Sequence, residues 1–214
     1  SLGQGTVEFD GFLSQFEGDI FGGFKVLQNH MDFGANGEDQ AAFSEILDVR
    51  AWNMGEGVWM LDYTSSISTS LETGVLFEQY RYGGGIGFRA TEKWTDTTST
   101  ILSSENKDRA TADGTNARWC IVEGVSNVKE GRSGILFMSH TANRAHPEPM
   151  RIWPAEWDDL YFQFSPIRQK EWKIDKNQSY TLKYRMIIFD GEMSSERAEQ
   201  YWKTFAVLPK IQMN

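Results

Sequence analysis

From residue 6 to residue 190 the chain is a succession of short runs rich in aromatic and β-branched residues, separated by turn-forming glycines, with helical periodicity confined to one stretch after residue 194. This pattern leaves few folds open. Strands that follow one another without intervening helices pair as antiparallel hairpins, and about ten of them need a second layer to bury their apolar faces. The expected fold is all-β, an antiparallel two-sheet β-sandwich with one C-terminal helix, formed by residues 1–214 as a single domain.

The clearest hairpin runs from Phe43 to Met54, turns at Gly55-Glu56-Gly57 and returns from Val58 to Thr69. Side chains alternate between the faces of a strand, so Trp59, Leu61, Tyr63 and Ile67 share one face while Asp62, Thr64, Ser66 and Ser68 share the other, wet one. Phe24 to Met31 reads as an earlier strand, with His30 near its end in a structural, hydrogen-bonded role. Further runs are expected at Ala117 to Glu123 and Gly134 to His140, joined by a turn at Asn127 to Gly131, then at Asp158 to Pro166, Glu171 to Asp175 and Ser179 to Asp190. The first two of these last three read as edge strands. Asp96 to Asn116 is long, polar and without periodicity, which predicts a mobile loop. At the end, Ser194 can cap a helix whose stripe is Ala198, Tyr201, Trp202 and Phe205, with Pro209 beyond its stop.

Two stretches carry candidate chemistry. Val75 to Tyr82 and Ile86 to Lys93 read as two strands of a hairpin joined at Gly83, Gly84 and Gly85. Its second strand turns Ile86, Phe88 and Ala90 inward and leaves Arg89 beside the bare Gly87. A guanidinium next to open surface is a floor for a polar ligand, or a salt-bridge partner on a solvated face. In His146-Pro147-Glu148-Pro149 each proline holds the preceding residue extended, so His146 and Glu148 point to a common side of a stiff loop.

Charge narrows the partners. With 30 acidic against 21 basic residues the net charge is -9, so no nucleic-acid partner is expected, and no apolar run is long enough to span a membrane. Cys120 is the only cysteine, which excludes an internal disulfide and a cysteine zinc site. The opening SLGQG does not read as a signal peptide. There is no GxGxxG at a helix start and no P-loop, so no nucleotide cofactor is expected; GGGIG precedes a strand instead.

Four motifs in order resemble a bacterial domain family of unestablished function labelled "methane oxygenase PmoA". They are Gly83 to Arg89, Ala117 with Trp119, Asn143-Arg144-Ala145-His146-Pro147, and Tyr184-Arg185 with Asp190-Gly191, within a match from Val75 to Phe205. Members of that family carry a histidine-rich segment upstream of the matched part, which this chain lacks, so the resemblance implies a piece of a longer pattern. Copper chemistry, which the label implies, conflicts with the residues: copper needs converging imidazoles, and His30, His140 and His146 form no tight pair in sequence. No metal is expected.

The resemblance implies a sugar-handling sandwich of galactose-mutarotase-like or jelly-roll type, exported to the periplasm or beyond. Its ligand would be a carbohydrate or another small polar molecule. By the same resemblance Arg89 would orient a sugar, His140 or His146 would give a proton, and Glu78 or Glu148 would supply a carboxylate, with Asn143 and Arg144 alongside. The alternative is a non-catalytic interaction or assembly module.

Overall fold

The computed structural model describes residues 4–34, 38–126 and 131–206. Most of the turn expected at Asn127 to Gly131, and Pro209, lie outside them. Among the described residues fourteen strands and one α-helix follow one another: β1 (Gly5–Phe16), β2 (Phe21–Asp32), β3 (Gln40–Asn53), β4 (Trp59–Ser68), β5 (Val75–Phe77), β6 (Gly87–Arg89) and β7 (Ser99–Ser103). Then come β8 (Asn116–Ala117), β9 (Trp119–Val125), β10 (Arg132–Ser139), β11 (Glu148–Ile152), β12 (Tyr161–Phe164), β13 (Trp172–Ile174), β14 (Ser179–Asp190) and α1 (Ser195–Ala206).

Eight strands form one antiparallel sheet in the order β1-β2-β3-β4-β14-β10-β9-β7. A four-stranded sheet, β6-β12-β11-β8, and a two-stranded one, β13-β5, roof one of its faces. The expected β-sandwich with a single C-terminal helix is therefore what the chain forms. Between the layers Phe137 meets Phe162 at 4.8 Å and Phe164 stacks on Tyr184 at 6.0 Å. Each such fully buried ring contributes about 1.5–3 kcal/mol of transfer free energy. Cys120 lies in this layer, fully buried, and burial raises its thiol pKa, so it is inert.

On the opposite face of the large sheet packs α1. Ala198 and Phe205 are buried there against Trp119, Ile121, Leu136, Met138 and Ile187, with Tyr201 and Trp202 packed alongside, as the stripe predicts. Ser194 caps the helix, its hydroxyl accepting from the Arg197 amide at 3.3 Å. The same face carries the polar residues Asp62 and Thr64, both part-exposed. Among the described residues no helix is long and apolar enough to cross a membrane.

Three expectations change. β3 and β4 pair as foreseen, from Ser44 with Ser68 to Asn53 with Trp59. The Gly83–Gly85 turn, by contrast, joins no hairpin: β5 pairs with β13 and β6 with β12. Positive φ at Gly83 (101°) and Gly84 (82°) lets the chain leave one small sheet and enter the other, a route that local alternation does not encode. Asp96 to Asn116 is not an open loop. Within it β7 pairs with β9, and the buried Arg109 donates to the carbonyls of Trp153, Asp158 and Asp159, so its polar residues serve as internal hydrogen-bond partners. Finally, β12 is interior to its sheet, between β6 and β11, and is no edge strand.

Gly85 is fixed by close approach. A Cβ there would stand 2.3 Å from the Phe164 carbonyl oxygen, 2.8 Å from the Tyr184 hydroxyl and 2.9 Å from Pro166 Cδ, none of them a flexible chain end. Gly85→Ala is expected to destabilise by about 2–4 kcal/mol and to lower Tm by roughly 5–15 °C in thermal denaturation. An unchanged Tm would contradict this packing.

Candidate functional site

A cavity of about 300 Å³ opens between the large sheet and its roof at the β2–β3–β4 side. Its floor is set by alternation: β3 turns Phe43 and Glu45 inward, β4 turns Tyr63, Ser65 and Ile67, and β14 contributes Tyr184. Phe77 from β5, Trp172 from β13 and the backbone of Gly84 and Gly85 close it from above. The walls are a run of touching rings: His30 stacks on Phe43 at 4.0 Å, Phe43 meets Phe77 at 5.4 Å, and Phe77 stacks on Trp172 at 5.5 Å.

Into this aromatic frame the chain puts a buried carboxylate. Glu45 is only 7% exposed. Its Oε2 lies 2.8 Å from His30 Nε2, and its Oε1 accepts from Ser65 Oγ at 2.5 Å. Burial pushes its pKa up, but the hydrogen bonds from His30 and Ser65 and the imidazole's charge outweigh that and hold it below the ordinary carboxylate value. Glu45 is therefore ionised near neutral pH, and His30 Nε2 is the donor. Tyr63 beside it is pushed up to about 12, by burial first and then by the Glu45 charge, and so stays a neutral hydroxyl. A carboxylate desolvated and held between an imidazole and a hydroxyl in a cavity is the kind of perturbed group that marks a candidate functional site.

A second polar cluster lies behind Tyr184. Glu148 is fully buried; its Oε1 accepts from Ser139 Oγ (2.6 Å) and Asn143 Nδ2 (2.8 Å), and its Oε2 accepts from the Tyr184 hydroxyl (3.0 Å). His146 Nδ1 reaches the same Ser139 hydroxyl at 3.2 Å, and its ring stacks on Trp202 at 5.9 Å. Burial raises the Glu148 pKa to about 7 against the three hydrogen bonds that lower it.

The residues singled out from the sequence thus divide. Asn143 and His146, from the segment after β10, and Glu148, at the start of β11, do converge around Ser139. Asn143 also clamps β14 through the Lys183 amide and carbonyl, both at 2.8 Å. Arg144 donates to the Pro166 and Glu171 carbonyls and lies over Trp172, so it braces the cavity roof from outside. Arg89 is exposed over the Trp153 ring at 4.5 Å and lines neither the cavity that holds His30 nor the groove that holds His140. Glu78 is exposed beside Phe77 and outside the lining. His140 lines a different groove, on the far face of the large sheet.

Sequence reasoning missed Glu45, Ser65 and Tyr63 as a set and gave His30 a structural role. The readable signal was a polar residue on an inward face: Glu45 falls in phase with Phe43, Leu47 and Val49, and Ser65 in phase with Tyr63 and Ile67. Among the described residues no three His, Cys, Asp or Glu side chains group as a metal-ligand set.

No curated protein matches the chain. Among solved structures, a GH36 alpha-galactosidase from Geobacillus stearothermophilus, in complex with 1-deoxygalactonojirimycin, aligns at 8% identity with a TM-score of 0.32, over 87% of this chain and 27% of that one. A likeness that distant carries no functional argument. The family comparison is of another kind, because its match runs from residue 1 to residue 203 and so takes in β1–β4, which hold the Glu45–His30 pair, as well as the motif-bearing part. By that match the chain belongs to the family described as "Family of unknown function (DUF6807)".

Proposed function

We propose that the Glu45–His30 cavity binds a carbohydrate of about one pyranose ring and can move protons on it. The observation that supports this is the buried Glu45 carboxylate, hydrogen-bonded to His30 and Ser65 and set in a wall of aromatic rings. Sugars present C–H faces that pack on rings and hydroxyls that need charged or polar partners, and Phe77, Trp172 and Tyr63 supply the first while Glu45, Ser65 and His30 supply the second. The cavity volume is at the small end for ligand sites, which suits one ring. The ionised carboxylate can take a proton from one sugar hydroxyl while His30, in its imidazolium form, gives one to a neighbouring oxygen; the proton then on Glu45 passes across the 2.8 Å contact to the neutral imidazole and restores both groups.

Titration of the full chain with a panel of hexoses, hexosamines and hexuronic acids, followed by tryptophan fluorescence, tests the reading, since Trp172 lines the cavity. At least one sugar should quench saturably, and Trp172→Ala should weaken it tenfold or more. A panel with no saturable binder would sink the proposal.

A second reading, an assembly module, has its own support. On β1 the side chains of Val7, Phe9, Phe12 and Leu13 are 52–60% exposed on the sheet's outermost strand. Under it, replacing Phe9 and Phe12 by serine would lower the sedimentation coefficient of a self-associating chain and leave sugar titrations untouched.

A further inference from the structure

We propose that the groove on the far face of the large sheet, between Lys183, Arg185, Thr64 and His140, binds a tetrahedral oxyanion, a phosphate or sulfate group. It is a cavity of about 320 Å³ under the end of α1, where Thr204 and Phe205 form its other wall, and of its lining residues Tyr184 alone also lines the Glu45–His30 cavity.

The argument begins with register. Arg50, Asp62 and Arg185 form one row across β3, β4 and β14, and Asp48, Thr64 and Lys183 form the next. In the first row Arg185 holds both Asp62 oxygens, at 2.6 and 2.9 Å. In the second, both oxygens of Asp48 accept from a bidentate Arg50 at 3.1 Å, and Lys25 pairs with the same carboxylate at 3.2 Å. Thr64 then stands where an acid would pair with Lys183, and among the described residues Lys183 has no carboxylate partner. Lys25, Arg50, Lys183 and Arg185 face only Asp48 and Asp62, so this patch is cationic by two charges on a chain of net charge -9. A local inversion of sign in a concave site concentrates anions.

The donors are also held in place. The Lys183 backbone is clamped on both sides by Asn143 and its carbonyl accepts from the His140 amide at 3.2 Å, while His140 Nδ1 accepts from the Ala142 amide, which leaves Nε2 as the proton-bearing nitrogen. Arg185 lies over the Phe205 ring at 4.9 Å. An ammonium, a hydroxyl, an imidazole N–H and the guanidinium nitrogens left over from the two aspartates offer donors from several directions, which suits four oxygens around one centre better than a planar carboxylate. Burial, and then the charges of Lys183 and Arg185, lower the His140 pKa. The groups that face or bias this imidazole are Lys183 and Arg185 on β14, Asp62 on β4, Asp48 and Arg50 on β3, Phe205 on α1 and His146 from its own loop.

The test is a titration of the full chain with inorganic phosphate, then sulfate, at ionic strength held constant with chloride, read by NMR of the histidine rings and backbone amides. Saturable shifts are expected at His140, Lys183 and Phe205, with the His140 titration midpoint moving up when phosphate is bound. Lys183→Gln should weaken binding tenfold or more and Thr64→Val by several-fold, with the remaining amide spectrum unchanged. Linear, non-saturating shifts, equal shifts in Lys183→Gln, or the same response to acetate would each overturn the proposal.

Discussion

Replacing Glu148 by glutamine is expected to flatten the pH dependence of stability between pH 4.5 and 7 by roughly 3 kcal/mol. Burial raises this carboxyl from 4.5 to about 7, while in the unfolded chain it would titrate near 4.5. Across that window the native state holds a proton that the unfolded state has released. The contribution of Glu148 is therefore greatest below pH 4.5 and is lost as pH rises through 7, by roughly 3 kcal/mol for a shift of this size. Depressed carboxylates such as Asp48 and Asp113 act with the opposite sign at lower pH, so the difference between wild type and Glu148→Gln is the informative quantity. Urea unfolding of both proteins from pH 4.5 to 8 measures it. A constant difference across that range would show that Glu148 does not titrate there. Glu148→Ala should be harsher, at about 3–5 kcal/mol at any pH, because it strands Ser139, Asn143 and Tyr184 around a cavity.

Replacing Glu45 by glutamine should abolish most of the ligand affinity of the first cavity, by about 10- to 100-fold, as expected when a hydrogen bond to a charged group is lost in a desolvated site. If the pair moves protons on a bound sugar, turnover should fall further, by about 10²- to 10⁴-fold. The carboxylate is depressed by His30 and Ser65 against burial, so it contributes stability above its ordinary 4.5 that disappears as pH falls through its lower folded-state value. The variant should therefore lose part of the wild-type acid-unfolding transition while keeping a native spectrum at neutral pH. Sugar titration by fluorescence and acid unfolding by circular dichroism check the two halves separately. Undiminished sugar affinity in Glu45→Gln would remove the pair from the site.

Much of the architecture is legible in single residues. The β3–β4 hairpin follows from two alternating runs around Gly55-Glu56-Gly57, and α1 follows from Ser194 and its four-residue stripe. The HPEP loop is legible too, since two prolines fix His146 and Glu148 to one side and both reach Ser139. Arg89 shows the limit. Alternation puts its side chain on the polar face of β6, as expected, but whether that face lines a cavity or looks outward depends on β12 and Trp153, more than 60 residues later. His30 and Glu45 show the converse, for each looks ordinary in its own strand and becomes a site only when β2 and β3 align.

What the sequence determined by itself is the local layer of this protein: strand after strand by period-two alternation, one amphipathic helix, a net charge of -9, and a proline-bearing stretch carrying His146 and Glu148. What only the tertiary structure decided is which inward polar residues meet. Pairing partners, the crossing of the glycine turn from one small sheet to the other, and the roof that shuts Phe77 and Trp172 over Glu45 are all contacts between distant segments. Alternation assigns a residue to a face at no cost in sequence distance. It is silent on what covers that face, because burial there is settled by packing across the whole fold.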